Sequence, residues 1–119
     1  MNNISAPSLL EFGDFSIQTK KILYLWSRSD SIQCYIRGSC IPIIISEPDP
    51  PQLMKELHAR YTFLIRVSDY LVNSRRLMYV WYRENGVQCF FDFPIPLTGR
   101  CEDDRLDKLC GDKLTPTKY

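Results

Sequence analysis

The chain has 119 residues, 45% of them hydrophobic and 13% aromatic, with 15 Lys/Arg against 14 Asp/Glu. That length is one domain, able to bury roughly two-thirds of its unfolded surface, and the composition excludes a disordered chain. The net charge of +1 excludes recruitment of a partner by bulk charge, but the charge is uneven: residues 15–83 hold ten Lys/Arg and five Asp/Glu, and both ends are acidic.

Residues 1–14 carry two acids and no base. They read as a loose lead-in with at most one helical turn around Leu9, Leu10 and Phe12. Phe15 to Trp26 predicts a long strand. Phe15, Ile17 and Thr19 alternate with Ser16, Gln18 and Lys20, and Ile22 to Trp26 is then continuously apolar, as in a strand buried on both faces. Ser27 to Ser31 is a polar turn. Ile32, Cys34 and Ile36 alternate with Gln33, Tyr35 and Arg37, which predicts a second strand. Gly38 marks a bulge or tight bend, and Cys40 to Ile45 predicts a third strand. Pro42 removes a ladder donor, so that strand should lie at an edge or at least not be hydrogen-bonded there.

Glu47 to Pro51 breaks the strand pattern and starts a helix, with Asp49 as N-cap and Pro50 in the first turn. Leu53, Leu57, Tyr61, Leu64 and Leu71 follow a 3.6-residue rhythm, interrupted only at Ser68. This predicts one helix from about Pro50 to Asn73, about 36 Å long.

The strongest local signal follows. Asn85-Gly86 is the dipeptide preferred in a two-residue hairpin turn, and aromatic and β-branched runs flank it. Counting outward pairs Tyr82 with Cys89 and Trp81 with Phe90. One face then carries Met78, Val80, Tyr82, Cys89, Phe91 and Phe93, which reads as core. The other carries Tyr79, Trp81, Arg83, Gln88, Phe90 and Asp92, too polar for a dry interior and too aromatic for plain solvent. Pro94 to Pro96 ends the sheet. Glu102, Asp103 and Asp104 open a short helix over Cys101 to Cys110, matching the helix dipole, with Gly111 beyond it. Residues 112–119 read as a mobile tail.

Strands, long helix, hairpin and short helix in that order predict an α+β domain. Its antiparallel sheet has four or five strands, one long helix packs across one face, and a short helix ends the chain. The corresponding organisation is a lead-in at 1–14, a body at 15–97, and the short helix and tail at 98–119.

The five cysteines, Cys34, Cys40, Cys89, Cys101 and Cys110, form no C-x-x-C pair, and no secretory leader opens the sequence. Free thiols, a reducing compartment and an intracellular location are expected. A zinc site from Cys34, Cys40, His58 and Cys89 lacks motif spacing, so no metal and no cofactor is expected. No run approaches the ~20 apolar residues of a membrane span. His58 lies within the predicted helix, Cys34 and Cys89 point to the core, and no phosphate-binding glycine loop is present, so no catalytic residue is assigned.

Two functions remain. In the first the chain is a non-catalytic interaction or assembly subunit. It binds a protein partner, or a second copy of itself as a homodimer, through Tyr79, Trp81, Arg83 and Phe90 and the overhanging long helix, since interface cores favour aromatic residues and Arg. In the alternative it is an RNA-binding accessory protein, of the kind viruses use to bind duplex RNA on an open sheet. Lys20, Lys21, Arg37, Arg75, Arg76 and Arg83 would then contact phosphates and the hairpin aromatics would stack on bases.

Overall fold

A five-stranded antiparallel sheet divides the core of the computed structural model, which describes residues 8–84, 86–91 and 96–112. Its strands are β3 (Ile22–Ser27), β4 (Ser31–Ile36), β5 (Ile43–Ser46), β6 (Leu64–Val67) and β7 (Tyr70–Asn73), in the spatial order β5-β4-β3-β7-β6. The hairpin of β1 (Leu9–Phe12) and β2 (Phe15–Gln18) and the helix α1 (Pro50–Arg60) lie on one face. A three-stranded sheet, ordered β10-β9-β8 from β8 (Leu77–Arg83), β9 (Gly86–Phe91) and β10 (Leu97–Gly99), lies on the other with α2 (Asp104–Asp112).

Each face has its own apolar core. Leu10, Phe12, Ile17, Ile22, Leu25, Ile32, Met54, Leu57, Leu64 and Leu71 fill the first. Leu23, Tyr24, Ile65, Val67, Val72, Val87, Cys89, Phe91 and Leu106 fill the second. The continuous apolar run of β3 serves both. A register shift between Ile22 and Tyr24 turns Leu23 and Tyr24 together toward the second core, while Ile22 and Leu25 stay in the first. The α+β class and the antiparallel sheets stand, with ten strands in three sheets among the described residues.

The expected long helix does not form. Asp49 caps α1 as expected, accepting from the Gln52 N–H, but the helix ends after 11 residues at Arg60. That is about 16 Å, too short to overhang a sheet. Residues 64–73 instead form the β6–β7 hairpin, in which Val67 pairs with Tyr70 and Ser68 takes a φ of 51°. The physical reason is burial on two sides. Leu64 and Leu71 enter the first core, and Ile65, Val67 and Val72 enter the second. No single helical stripe serves two cores, and the β-branched residues favour the pleated surface. Ser68, the break in the apparent stripe, is the turn.

Three smaller corrections follow. Leu9–Phe12 is a strand, not a loose lead-in: Leu10 and Phe12 are fully buried, and Gly13 turns the chain with a φ of 59°. Phe15–Trp26 is two strands separated by a 3-10 turn at Thr19–Lys21. The sheet does not end before residue 97, because Leu97–Gly99 pairs with Cys89–Val87. Pro42 does precede an edge strand, β5.

The β8–β9 hairpin forms in a register displaced from the expected one. Arg83 pairs with Gly86, Tyr82 with Val87 and Trp81 with Gln88, which leaves Glu84 and Asn85 between the strands. Asn85 itself lies outside the described residues, as do Asp92, Phe93 and the predicted tail beyond 112. Each partner moves by two residues, so most side chains keep their predicted face. Met78 is the exception. A bulge between Leu77 and Tyr79 puts Leu77 opposite Phe91 and sends Met78 outward.

Gly86 is needed both for its positive φ and for close approach. Its φ is 155°, and a Cβ there would collide with the backbone carbonyl of Gly99 on β10. Gly86→Val is therefore expected to lower stability by about 2 kcal/mol or more, since backbone rather than a flexible side chain must move. Thermal unfolding checks it, and an unchanged Tm would mean that β10 does not pack on β9.

Candidate functional site

Three places in this fold bring chemistry-bearing side chains together. The first is the outer face of the β8–β9 hairpin. Alternation along β8 turns Tyr79, Trp81 and Arg83 outward, and β9 adds Gln88 and Phe90 on the same side. Tyr79 and Phe90 stack across the strands with centroids 4.4 Å apart and planes at 14°. The Arg83 guanidinium lies 4.3 Å over the Trp81 ring. Met78 is 59% exposed, Tyr79 51% and Trp81 46%, so three large side chains of β8 are open to solvent. Gln88, opposite Trp81, has a buried Oε1 without a donor among the described residues. The structure thus brings together all four hairpin residues named from the sequence.

The second place is one end of the five-stranded sheet. Thr19–Lys21 and Ser74–Arg76 are both 3-10 turns, and buried Asn73 joins them. Its Nδ2 donates to the Thr19 carbonyl at 3.0 Å and to the Ile22 carbonyl at 2.8 Å, and its Oδ1 accepts from the Arg75 N–H at 3.0 Å. Arg76 Nε donates to the Lys20 carbonyl at 2.6 Å. The Arg37 N–H donates to the Lys21 carbonyl at 2.7 Å. Lys20, Lys21, Arg37, Arg75 and Arg76 thereby share one end of the molecule. Arg83, the sixth base of the predicted set, is at the far end of β8.

The third place is a cleft of about 770 Å³ lined by His58, Arg66, Ser68, Asp69, Arg100 and the acids at 102–104. Sequence reasoning assigned His58 no partner, because Asp103 lies 45 residues away. His58 Nε2 is 2.7 Å from Asp103 Oδ2, and the Asp103 side chain is only 5% exposed. The same Oδ2 accepts from the Arg66 N–H at 2.8 Å, and Oδ1 accepts from the Arg105 N–H at 3.0 Å. Arg105 in turn donates to the Leu64 carbonyl at 2.7 Å. Burial alone would raise the Asp103 carboxyl, but the two backbone N–H groups and His58 outweigh it and hold the carboxyl below its ordinary 3.8. These contacts fasten α1, β6 and the start of α2 to one another.

The sign of the pH effect follows. The folded form holds this carboxylate at a depressed pKa, so its stabilisation is present above the ordinary carboxylate range and is lost as pH falls through the lower folded value. Asp103→Asn is expected to lower Tm at pH 7 and to flatten the decline of Tm in acid. Melting curves between about pH 5 and pH 2 check it, and parallel pH profiles for the two proteins would refute the assignment.

Cys34, Cys40 and Cys89 lie apart from one another. Cys34 is buried in the first core, and burial pushes its thiol up to about 12. Cys89 is buried in the second core, on the opposite face of the sheet, and Cys40 is exposed. The set Cys34, Cys40, His58 and Cys89 is therefore not assembled. Among the described residues no group of three or more His, Cys, Asp or Glu is placed to hold a metal ion, and no helix is long and apolar enough to cross a membrane.

Compared with known proteins, the chain matches no family model, no curated protein and no solved structure.

Proposed function

We propose that this chain is a non-catalytic assembly protein that associates through the β8–β9 hairpin, and that the partner is a second copy of the chain. The observation that carries the reading is the state of strand β8. It is the longest strand described, with seven residues, and among the described residues it pairs on one side only. A free strand edge offers unpaired N–H and C=O groups, and monomeric proteins ordinarily blunt it with charge, proline or a covering element. The outer edges β5, β6 and β10 show such devices. Asp103 takes the Arg66 N–H of β6. Arg100, just after β10, exchanges bonds with Ser68. β5 is four residues long and follows Pro42.

β8 has a bulge near its start and a charge only at its end, Arg83, and among the described residues no proline and no element covers its edge; it presents Met78, Tyr79 and Trp81 to solvent. Large exposed apolar side chains in one contiguous patch mark association surfaces. Val80 is the midpoint of β8, so a two-fold axis through it overlaps all seven residues of two antiparallel copies. Tyr79 of one copy then lies opposite Trp81 of the other, a favourable cross-strand aromatic pair. The two small sheets become one of six strands, and neither copy keeps an open β8 edge.

The rest of the molecule supports a binding rather than a catalytic role. His58 is held by a carboxylate that also fastens two backbone amides, and the Cys34 thiol is kept protonated by burial. Concentration-dependent mass, with the exposed β8 residues varied, tests the proposal. The alternative RNA-binding reading, which also drew on Arg83 and the hairpin aromatics, is favoured by the convergence of the other five bases at the end of the five-stranded sheet.

A further inference from the structure

We infer that the basic end of the five-stranded sheet is a binding groove for single-stranded nucleic acid, formed by Lys20, Lys21, Arg37, Arg75 and Arg76 with Phe15 as the stacking ring. These bases come from three segments spread over more than fifty residues, yet backbone bonds set their spacing. The Asn73 side chain and the Arg76–Lys20 bond hold the two 3-10 turns side by side, and the Arg37–Lys21 bond adds the end of β4. Lys20, Lys21, Arg37 and Arg75 are exposed. Lys20, Lys21, Arg75 and Arg76 make no ion pair with a carboxylate among the described residues; Arg75 lies 5.5 Å over the Phe63 ring and Arg76 bonds the Lys20 carbonyl, so no acid there cancels their charge. Like charges set together cost stability unless a polyanion covers them.

The groove beside these turns distinguishes nucleic acid from other polyanions. It has a volume of about 470 Å³ and runs between β2 and the β4–β5 connection, lined by Phe15, Gln18, Lys21, Arg37 and Ser39 among others. Phe15 is 45% exposed, which is unusual for a Phe and leaves a ring available to a base. Basic side chains that follow a phosphate backbone, an exposed aromatic ring and amide or hydroxyl groups able to meet base edges are the components of a single-strand site. The acids of the adjacent β1–β2 hairpin are Glu11, which accepts from Ser16 Oγ at 3.1 Å, and Asp14 at its turn. Those two carboxylates are outnumbered by Lys20, Lys21, Arg75 and Arg76, which leaves the end electropositive.

The test uses the full chain and a fluorescein-labelled single-stranded RNA of about twenty nucleotides, with heparin and polyglutamate as competitors. Saturable binding at low salt is expected. The slope of log K against log salt should be about −3.5 for five phosphate contacts on a single strand. The combined variant Lys20→Ala, Lys21→Ala, Arg37→Ala should lose at least tenfold in affinity with its Tm retained. Phe15→Ala should weaken RNA binding several-fold and leave heparin binding unchanged, because heparin has no bases to stack. Trp81→Ala should bind RNA as the parent does, which separates this inference from the assembly reading. Absence of binding at low salt would overturn it, and so would a Trp81→Ala loss without a Phe15→Ala loss. Polyglutamate binding as tight as RNA, indifferent to Phe15→Ala, would assign the face to an acidic protein segment and equally overturn it.

Discussion

Phe12→Ala is expected to cost about 3–5 kcal/mol, the usual cost of emptying a buried aromatic site. Phe12 is only 1% exposed and packs with Leu10 and Ile17 in the core shared by α1 and the five-stranded sheet. A second contact fixes the same hairpin, since the Glu11 N–H donates to the Tyr61 hydroxyl at 3.0 Å. Small domains hold only about 5–15 kcal/mol in total, so this variant should populate unfolded chains at moderate temperature. Denaturant titration measures it. A loss below about 1 kcal/mol would mean that residues 9–18 are an appendage and not part of the core.

Asn73→Ala should cost about 3 kcal/mol or more, although only a polar side chain is removed. Asn73 is fully buried, and its amide makes three hydrogen bonds to backbone groups. Truncation leaves the Thr19 and Ile22 carbonyls and the Arg75 N–H without that partner, each costing about 1–3 kcal/mol before relaxation. Both 3-10 turns should also open locally, which amide hydrogen exchange at residues 19–22 and 74–76 would report as lost protection. Retained protection together with a loss near zero would contradict the role assigned to Asn73.

Local signals in the sequence survive folding where one residue has one job. Asp49 and Pro50 start α1 as predicted, and Pro42 marks an edge strand. The hairpin after Leu77 forms as predicted, and its faces were legible although its register was not. A displacement of two residues leaves alternation untouched, which explains why Tyr79, Trp81, Arg83 and Phe90 were found together. The failure at residues 61–73 has a different origin. Tyr61, Leu64 and Leu71 satisfy a helical period, and Leu64 and Leu71 equally suit strands buried on both sides. Only Ser68 and the β-branched residues around it argued for the hairpin, and the presence of two cores, which decided the matter, is a tertiary fact.

Long-range contacts were the least legible. His58 and Asp103 meet across 45 residues. The bases at 20–21, 37 and 75–76 converge because Asn73 reaches the Thr19 carbonyl across 54 residues. Nothing in local composition distinguishes such a cluster from scattered surface charge. β10 is three residues long and shows no alternation to read. The loss of the long helix also removes its apolar overhang as a reason for association, and the argument now rests on β8 alone.

The most direct test of that argument is light scattering of the parent chain and of the double variant Tyr79→Lys, Trp81→Lys over a wide concentration range. Both positions are exposed, so the substitutions should spare the fold, and lysine on a free edge opposes strand pairing. The parent should reach twice the 14.0 kDa chain mass, and the variant should stay at 14.0 kDa with its Tm retained. A parent that remains at 14.0 kDa at the highest concentration, or a variant that dimerises as the parent does, would contradict assembly through β8.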